Sequence, residues 1–511
     1  MNRSQDPWPW LLGAAAGLFY LAFHSTFYNF DGVACAIAVE LGDLPHLAHG
    51  NHLAYGLAGL IFDRGWRVLG YDGPAMLPLQ TLDSLLGGAG IGLFFRFLRR
   101  QGLSWPASLL SALGLAVSQA YWFWSLEAQV YVFGVFFALL AADCAFAERP
   151  RPVLAGIWLA AAVLGHVGHL MLFPAAAHAL WRCDRTGRFA LRFAAALGLS
   201  VAAAYTAAGL FIIRPDGWPA LRAWLLGSAA LSLDKSFLWY GGYSLENLRV
   251  WGLMTLRIFA EGAALSGWTA AAAWGLGAAA LSAAAAGAAR SGRRGLAILA
   301  GLWLGGYAVL FILWQPWTVV YRVVDLLPLW LLIAVWADGA RPRLAMVGAW
   351  VLAAGTLNAA TLVLPACDPT KNKPLQEAVW LAQATPPEAW IVVSAHGQVY
   401  VPYFSHRRPV NLRYHADDES LGRRLDKLEQ AGEQVYVTAA TLDGAGRRAF
   451  FTAYGLREES RRGEEALYRV MKGKPSGSSQ KRLKTAAALK NGPKGIGSER
   501  LSVPRAIKKT P

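Results

Sequence analysis

Apolar residues along this chain come in runs, and most runs match the length of a bilayer crossing. About 20 apolar residues at 1.5 Å each traverse the ~30 Å hydrocarbon layer of a membrane. Windows of that kind fall near residues 8–27, 75–95, 104–124, 126–147, 189–213, 250–286, 295–314 and 344–364, with shorter candidates near 152–166, 168–182 and 323–338. Arginines punctuate the runs: Arg96, Arg99 and Arg100; Arg149 and Arg151; Arg182, Arg185 and Arg188; Arg290, Arg293 and Arg294; Arg341 and Arg343. Such clusters stay in the cytoplasm, and about eleven helices satisfy all five. The pattern therefore predicts an α-helical polytopic membrane protein, residues 1–364, with a cytoplasmic N-terminus. Residues 28–74, the turns near 125 and 167, 214–249, 315–322 and everything after 365 are expected on the other side.

Two of those outer segments are amphipathic. Residues 53–74 mix an apolar face with Asp63, Arg64, Trp66 and Arg67, as in a helix lying flat at the headgroups. Residues 214–249 repeat the pattern with Leu221, Trp224 and Leu225 at helical spacing, followed by Asp234, Lys235, Trp239, Tyr240, Gly241 and Gly242. After Leu364 the composition turns polar. Pro365–Pro374 reads as a linker, and the rest of 365–471 as a small extracytoplasmic α/β domain, with strands at Trp390–Ser394, Gln434–Thr438 and Ala466–Val470 and a helix at Asp417–Ala431. Residues 472–511, rich in Lys, Gly, Ser and Pro, cannot bury a core and are expected to be disordered.

Composition agrees with a membrane location: 55% of the 511 residues are hydrophobic, only 16% are charged, and the mean hydropathy is +0.33. The net charge of +16 looks like a nucleic-acid signal, but residues 472–511 hold eleven Lys/Arg and one Glu, so the tail supplies ten of the sixteen charges. The remainder is mildly basic, and nucleic acid is not a needed partner. Four scattered cysteines, Cys35, Cys144, Cys183 and Cys367, make no CxxC, hence no thiolate metal motif. Trp8–Phe27 lacks a small-residue cleavage site and reads as a retained first helix.

The residues with chemistry gather in the outer segments, above all in FDGVACAIAVELGDLPHLAHGNHLAY, residues 30–55. Asp31 stands a few residues beyond the first span, where desolvation can tune a carboxylate for general-base work; a solvated loop acid or helix cap is the plain alternative. Asp43, in LGDLP, fits a turn or cap. His46, His49 and His52 recur every three residues. Of these, His49 and His52 suit hydrogen bonding to a phosphate or hydroxyl better than a metal, for which no third ligand is evident, and headgroup-level histidines are the alternative. Glu127, in YWFWSLEAQVY, faces the same compartment, and Trp124 beside it could stack on a sugar or simply belong to the interfacial aromatic belt. Arg322, in TVVYRVVDLLPLW, opens a span where it could grip a lipid phosphate bidentately, unless it pairs with Asp325. His166 and His169 fit the polar satisfaction of a broken helix, and Arg257 with Glu261 fits a structural ion pair. There is no GxxxxGK[ST], no strand-linked GxGxxG and no HExxH, which leaves nucleotide-driven transport, a Rossmann site and a zincin without support.

Taken in order, an acid after the first helix, HGNHLAY closing a long first outer loop, the outer-turn acid of SLEAQVY, WPALRAWLLGSAALSLDKSF in a later loop, the YRVVDLLPLW span and an extracytoplasmic C-terminal domain resemble the GT-C glycosyltransferases, in particular bacterial members similar to protein O-mannosyltransferases. The resemblance implies an enzyme of the bacterial inner membrane that transfers a sugar, mannose-like, from a polyprenyl-phosphate donor to an acceptor hydroxyl on a protein, lipid or polysaccharide, inverting the anomeric centre. Asp31 would act as base, Glu127 would position sugar or acceptor, and His49, His52, Arg322 and Trp124 would bind substrate. Some relatives carry paired acids after the first helix where this chain has Asp31-Gly32, so a divalent metal stays an open alternative. A transporter or flippase of a lipid-linked glycan is the rival; it would need charges along the middle of several spans and a repeated half-structure.

Overall fold

A computed structural model describes residues 6–226, 244–261, 281–290, 292–394, 396–415 and 417–471. The expected pieces at Asp234–Gly242 and 472–511 lie outside these residues, as does most of the 250–286 window. Elsewhere each apolar window coincides with helix. Five helices are long and apolar enough to cross a membrane: Met76–Arg100, Arg188–Ile213, Arg294–Leu313, Val319–Ala337 and Arg341–Ala366. Four more, Trp8–Leu21 (α1), Trp105–Val117, Val130–Ala145 and Pro152–Gly165, are apolar but shorter.

One window is interrupted and one expected turn separates two helices, and each break is closed by a neighbour. The 104–124 run stops at Ser118, whose extended backbone frees the amides of Gln119 and Ala120 to bond the carbonyls of Phe259 and Ile258 at 3.0 Å. The 152–182 region breaks at His166, and the Val167 amide donates to Asn51 O at 3.1 Å. Backbone freed inside an apolar bundle needs such partners.

The chain is organised around Met76–Arg100, the fifth helix (α5). At one end it touches α1 through glycine: a Cβ on Gly88 or Gly92 would run into the backbone of Gly17 or of Pro9, and one on Gly13 would stand 3.3 Å from Gly88 O. Small residues at this seam let two helices approach to backbone contact, the usual device of membrane helices. The other end of α5 presents Gln80, Asp83, Ser84 and Gly87, positions that share one helical face. Gln80 Nε2 donates to Ser25 O (2.8 Å), Asp83 Oδ2 accepts from Tyr55 OH (2.7 Å) and from Gln129 N (2.8 Å), and Ser84 Oγ donates to Ser125 O (2.9 Å). Tyr121 OH reaches Gly87 O at 2.9 Å. One helix thus fastens both the segment after α1 and the turn around Glu127.

Between α1 and α5 run three further helices: α2 (Phe30–Leu41), the single turn α3 (Leu44–Leu47) and α4 (Leu53–Val68). Asp43 caps α3, accepting from His46 N and pairing with the His46 ring at 2.6 Å, which is the turn-or-cap reading. On α4, Leu53, Tyr55 and Gly59 face inward while Ile61 and Val68 are exposed, and Asp63 is buried against Arg67 at 2.7 Å. The later amphipathic piece forms the helix Trp218–Leu226. Its Trp224 donates from Nε1 to Ala48 O at 2.8 Å, and its backbone packs where Gly50 has no side chain.

The chain divides into two compact units, Met1–Glu377 and the part beginning at Ala378. The boundary is not at Leu364 because the expected linker belongs to the first unit: Thr26 N and Oγ1 donate to Ala366 O at 2.7 and 2.9 Å, and Asn372 Nδ2 donates to Thr26 O and Phe27 O at 2.8 Å.

The second unit has a five-stranded sheet in the order β2-β1-β3-β5-β4, where β1 is Trp390–Val393, β2 Arg408–Asn411, β3 Val435–Thr438, β4 Leu456–Arg462 and β5 Glu465–Val470. β2, β1 and β3 are parallel, whereas β5 and β4 run antiparallel. Along β1 the side chains alternate between two cores: Val392 packs with Leu421, Leu425 and Leu428 of the helix Asp418–Gln430, and Ile391 and Val393 with Trp380 and Leu381. Expected strands β1, β3 and β5 and the helix are present. β2 and β4 were not expected, for physical reasons: β2 contains Pro409, and β4 is a charged edge whose Arg461 and Arg462 pair with Glu458 and Glu465.

Candidate functional site

Asp31 occupies the first turn of α2. Its amide donates to Oδ1 of Asn29, the N-cap residue, at 3.0 Å. The carboxylate is accessible to solvent but closely ringed by protein atoms, and this crowding raises its pKa above the ordinary carboxylate value in spite of the favourable helix end. Tyr131 and Tyr321 stand near enough to feel its charge. The next residue is Gly32 because a Cβ there would lie 2.6 Å from Ala128 O. Asp31 is therefore held against the SLEAQV turn.

Glu127 is entirely buried beneath that contact, at 0% exposure. Its Oε2 accepts from Asn29 N at 2.9 Å, and the Ser25 hydroxyl and Tyr28 amide also face the carboxylate. Burial pushes its pKa up to about 7, with those hydrogen bonds pulling the other way. Gln129 completes the frame, donating from Nε2 to Asn29 Oδ1 at 2.5 Å. Asn29 is thereby clamped from both sides by a turn about a hundred residues away in sequence, and Asp31 is carried on the clamp.

The histidines form a column. His49 and His52 stack with ring centroids 4.5 Å apart, and His166, from the helix break, stacks on His52 at 5.9 Å. His166 continues into Tyr131 (5.5 Å), Trp314 (5.9 Å) and Tyr321 (6.2 Å), the same tyrosines that face Asp31. Desolvation lowers the pKa of His49 and lowers that of His52 further, each helped by a neighbouring histidine, so these rings are neutral at pH 7. Nδ1 of His49 accepts from Asn51 N (3.2 Å) and Nδ1 of His166 from Gly168 N (3.1 Å), which leaves their protons on Nε2 as donors. His52 Nδ1 is buried with no partner among the described residues. His169 turns away to Tyr307 OH at 2.9 Å and fills the space under Gly134.

Two cavities flank this strip. An almost wholly apolar one of about 700 Å³, lined by Leu170, Met171, Phe173, Leu197, Val201 and Tyr205, reaches the column where Tyr205 OH donates to Gly50 O at 2.5 Å. The second, of about 410 Å³, is lined by the aromatic Phe27, Phe123 and Trp124 and the polar Gln119, Arg257 and Lys371. Phe27 lies four residues before Asp31, and Val319, also in the lining, lies two before Tyr321.

No known sequence family matches the chain, and neither does any curated protein. Solved structures do. ArnT from Cupriavidus metallidurans bound to undecaprenyl phosphate superimposes with a TM-score of 0.59 at 14% identity, covering 91% of this chain and 97% of ArnT. The Archaeoglobus fulgidus oligosaccharyltransferase in the apo form superimposes with a TM-score of 0.51 at 14% identity, over 85% of this chain and 70% of that one. This chain has the GT-C fold.

Within the GT-C frame, one of the residues expected to bind substrate points elsewhere. Arg322 is 0% exposed and fully engaged: Nε donates to Asp325 Oδ2 (2.8 Å), Nη1 to Trp251 O (2.6 Å) and Nη2 to Thr255 Oγ1 (2.5 Å), with its guanidinium over the Trp251 ring at 4.7 Å. A buried charge is tolerated only when paired, and the pair with Asp325 is the alternative to a phosphate contact. Among the described residues no three His, Cys, Asp or Glu converge as metal ligands. Gly32 leaves no room for a second carboxylate beside Asp31, and the histidines stack face to face rather than aiming nitrogens at one point. These residues do not fit a divalent ion.

Gln119, Arg257 and Lys371 were not expected in a site. The spacing of Arg257 and Glu261 signalled an ion pair, which forms at 3.1 Å, but not the cavity beside it.

Proposed function

We propose that this GT-C chain is a glycosyltransferase that moves a sugar from a polyprenyl-phosphate carrier to an acceptor hydroxyl on the extracytoplasmic side of a bacterial inner membrane, with inversion. The observation that supports the reading is Asp31, a carboxylate whose pKa crowding raises, close to Tyr131 and Tyr321 at the end of the histidine column, with an apolar cavity whose Tyr205 bonds Gly50 between His49 and His52. The ArnT structure that matches this fold over most of its length holds undecaprenyl phosphate, which supports a lipid-linked donor.

In this mechanism the isoprenoid tail lies in the cavity by Val201 and Tyr205, and the phosphate meets the Nε2–H groups of the column. Asp31 accepts the proton of the acceptor hydroxyl as its oxygen bonds to C1. The C1–O bond to phosphate breaks on the opposite face, and the polyprenyl phosphate leaves with the bonding pair. The logic is that of the base in an inverting glycosidase. A raised pKa makes Asp31 a better base at neutral pH than an ordinary carboxylate. Glu127 holds the backbone of Asn29 and so fixes where Asp31 stands.

That division of labour is testable at Glu127. With a folded pKa near 7 against an ordinary 4.5, the buried group stabilises the fold most when protonated, below about pH 4.5, and the stability is lost as pH rises through about 7, a swing of a few kcal/mol. Glu127→Gln keeps the acceptor for Asn29 N. It should flatten the dependence of thermal stability on pH in this window and retain most transfer activity. A loss as deep as that of an Asp31 variant, in a stably folded protein, would instead put Glu127 in contact with the substrate.

The direct test of the function is reconstitution of the full chain in liposomes with a panel of labelled polyprenyl-phosphate sugars and an envelope extract as acceptor source. Time-dependent release of free polyprenyl phosphate coupled to labelling of the extract is expected. Translocation of intact donor without cleavage would replace the enzyme reading with that of a flippase.

A further inference from the structure

The second cavity carries chemistry that the transfer mechanism does not use. Its floor combines Trp124, half-buried, with the exposed Phe27 edge-on to Phe123 at 5.5 Å. Its rim is polar in a particular way. Gln119 Nε2 and Arg257 Nη2 both donate to Glu261 Oε2, at 2.7 and 3.1 Å, so Arg257 and Gln119 are fixed in place. Each keeps one polar atom unsatisfied: Gln119 Oε1 and Arg257 Nε are buried without hydrogen-bond partners among the described residues. Lys371, also in the lining, is near enough to Asp368 to act on its carboxylate, while Asp368 spends Oδ1 on the amide and hydroxyl of Thr370 at 2.9 and 2.7 Å. Positive and negative side chains are balanced here, which argues against a site for a free anion. An aromatic face with a surrounding set of spare donors and one spare acceptor matches a polyhydroxyl ring, which offers an apolar face to stack and hydroxyls that both donate and accept. Buried polar atoms left unmade are costly, so the spare valences of Gln119 and Arg257 favour a ligand that completes them.

Resting on the glycosyltransferase reading above, we infer that this cavity is the acceptor subsite and that the acceptor is a saccharide: a sugar ring stacks on Trp124 with its hydroxyls on Gln119 Oε1, Arg257 Nε and the Lys371 ammonium. The reacting hydroxyl then projects past Phe27 toward Asp31. A polypeptide acceptor would instead need an extended groove with backbone partners, and the lining offers side chains around one compact space.

The experiment uses the full chain in lipid nanodiscs and two probes in parallel: an array of envelope-type oligosaccharides, and undecaprenyl phosphate detected by native mass spectrometry. The wild type should retain one class of oligosaccharide. Trp124→Leu and Lys371→Ala, the latter at an exposed position that the fold does not depend on, should each weaken that binding about tenfold or more while undecaprenyl phosphate still binds as in the wild type. If the wild type binds undecaprenyl phosphate and no saccharide, or if saccharide binding ignores both substitutions, the subsite assignment is wrong and the transferase reading stands. If undecaprenyl phosphate is not bound either, the transferase reading itself falls. Competition by an acceptor peptide but by no oligosaccharide would assign the cavity to protein.

Discussion

Asp31→Asn should leave the protein folded and membrane-inserted and reduce sugar transfer by roughly 10²–10⁴-fold, the range a positioned general base contributes. Asparagine matches the size and shape of aspartate, and the backbone bond from residue 31 to Asn29 Oδ1 does not involve the altered side chain, so structure and donor binding should survive while proton acceptance is lost. The pH profile adds a second signature. Burial raises the Asp31 pKa above 3.8, and the base works only when deprotonated, so wild-type activity should fall as pH drops through this raised value. That acid limb should disappear from the residual activity of the variant. A variant that transfers at the wild-type rate would remove Asp31 from the chemistry, and an unchanged acid limb would assign the titration to another group.

Arg322→Ala should be the most destabilising single substitution among the residues discussed. It strands Asp325, which is 0% exposed, and leaves the Trp251 carbonyl and the Thr255 hydroxyl without their donor. Breaking a buried ion pair from one side costs about 3–5 kcal/mol, since the abandoned charge remains in a low-dielectric interior. Thermal stability in detergent and transfer activity should fall together. The double variant Arg322→Ala/Asp325→Ala, lacking the stranded charge, should recover part of the lost stability, as coupled residues do in a double-mutant cycle. A single variant as stable as the wild type, with weakened polyprenyl-phosphate binding alone, would restore Arg322 to the donor site.

Arg322 also shows where sequence reasoning stops. A charge at the start of an apolar run looks the same whether it points out to a headgroup or in to Asp325; only the partners at Trp251 and Thr255, some seventy residues away, decide. The apolar helices were readable because hydrophobic runs need no tertiary context, and so were β1, β3 and β5. The network that holds Asp31 was not. Asn29 with Glu127, Tyr55 with Asp83 and Gln80 with Ser25 are joined across long stretches of chain, and nothing local in any of these residues announces its partner. Lys371 was hidden in a segment whose prolines read as a linker, although its neighbours Ala366 and Asn372 bond directly to Thr26 and Phe27.

The fastening of both loops to α5 has a consequence for the order in which the protein is made. Ser25, Asn29, Asp31, Tyr55, Gln80, Asp83, Ser84, Glu127 and Gln129 all precede Val130, so this network around Asp31 leaves the ribosome before the segments that complete the walls of both cavities. The surroundings of the proposed base are made early, and the later helices are fitted around them. In the proposed mechanism, substrate preference can be rewritten by the last-synthesised parts without disturbing Asp31.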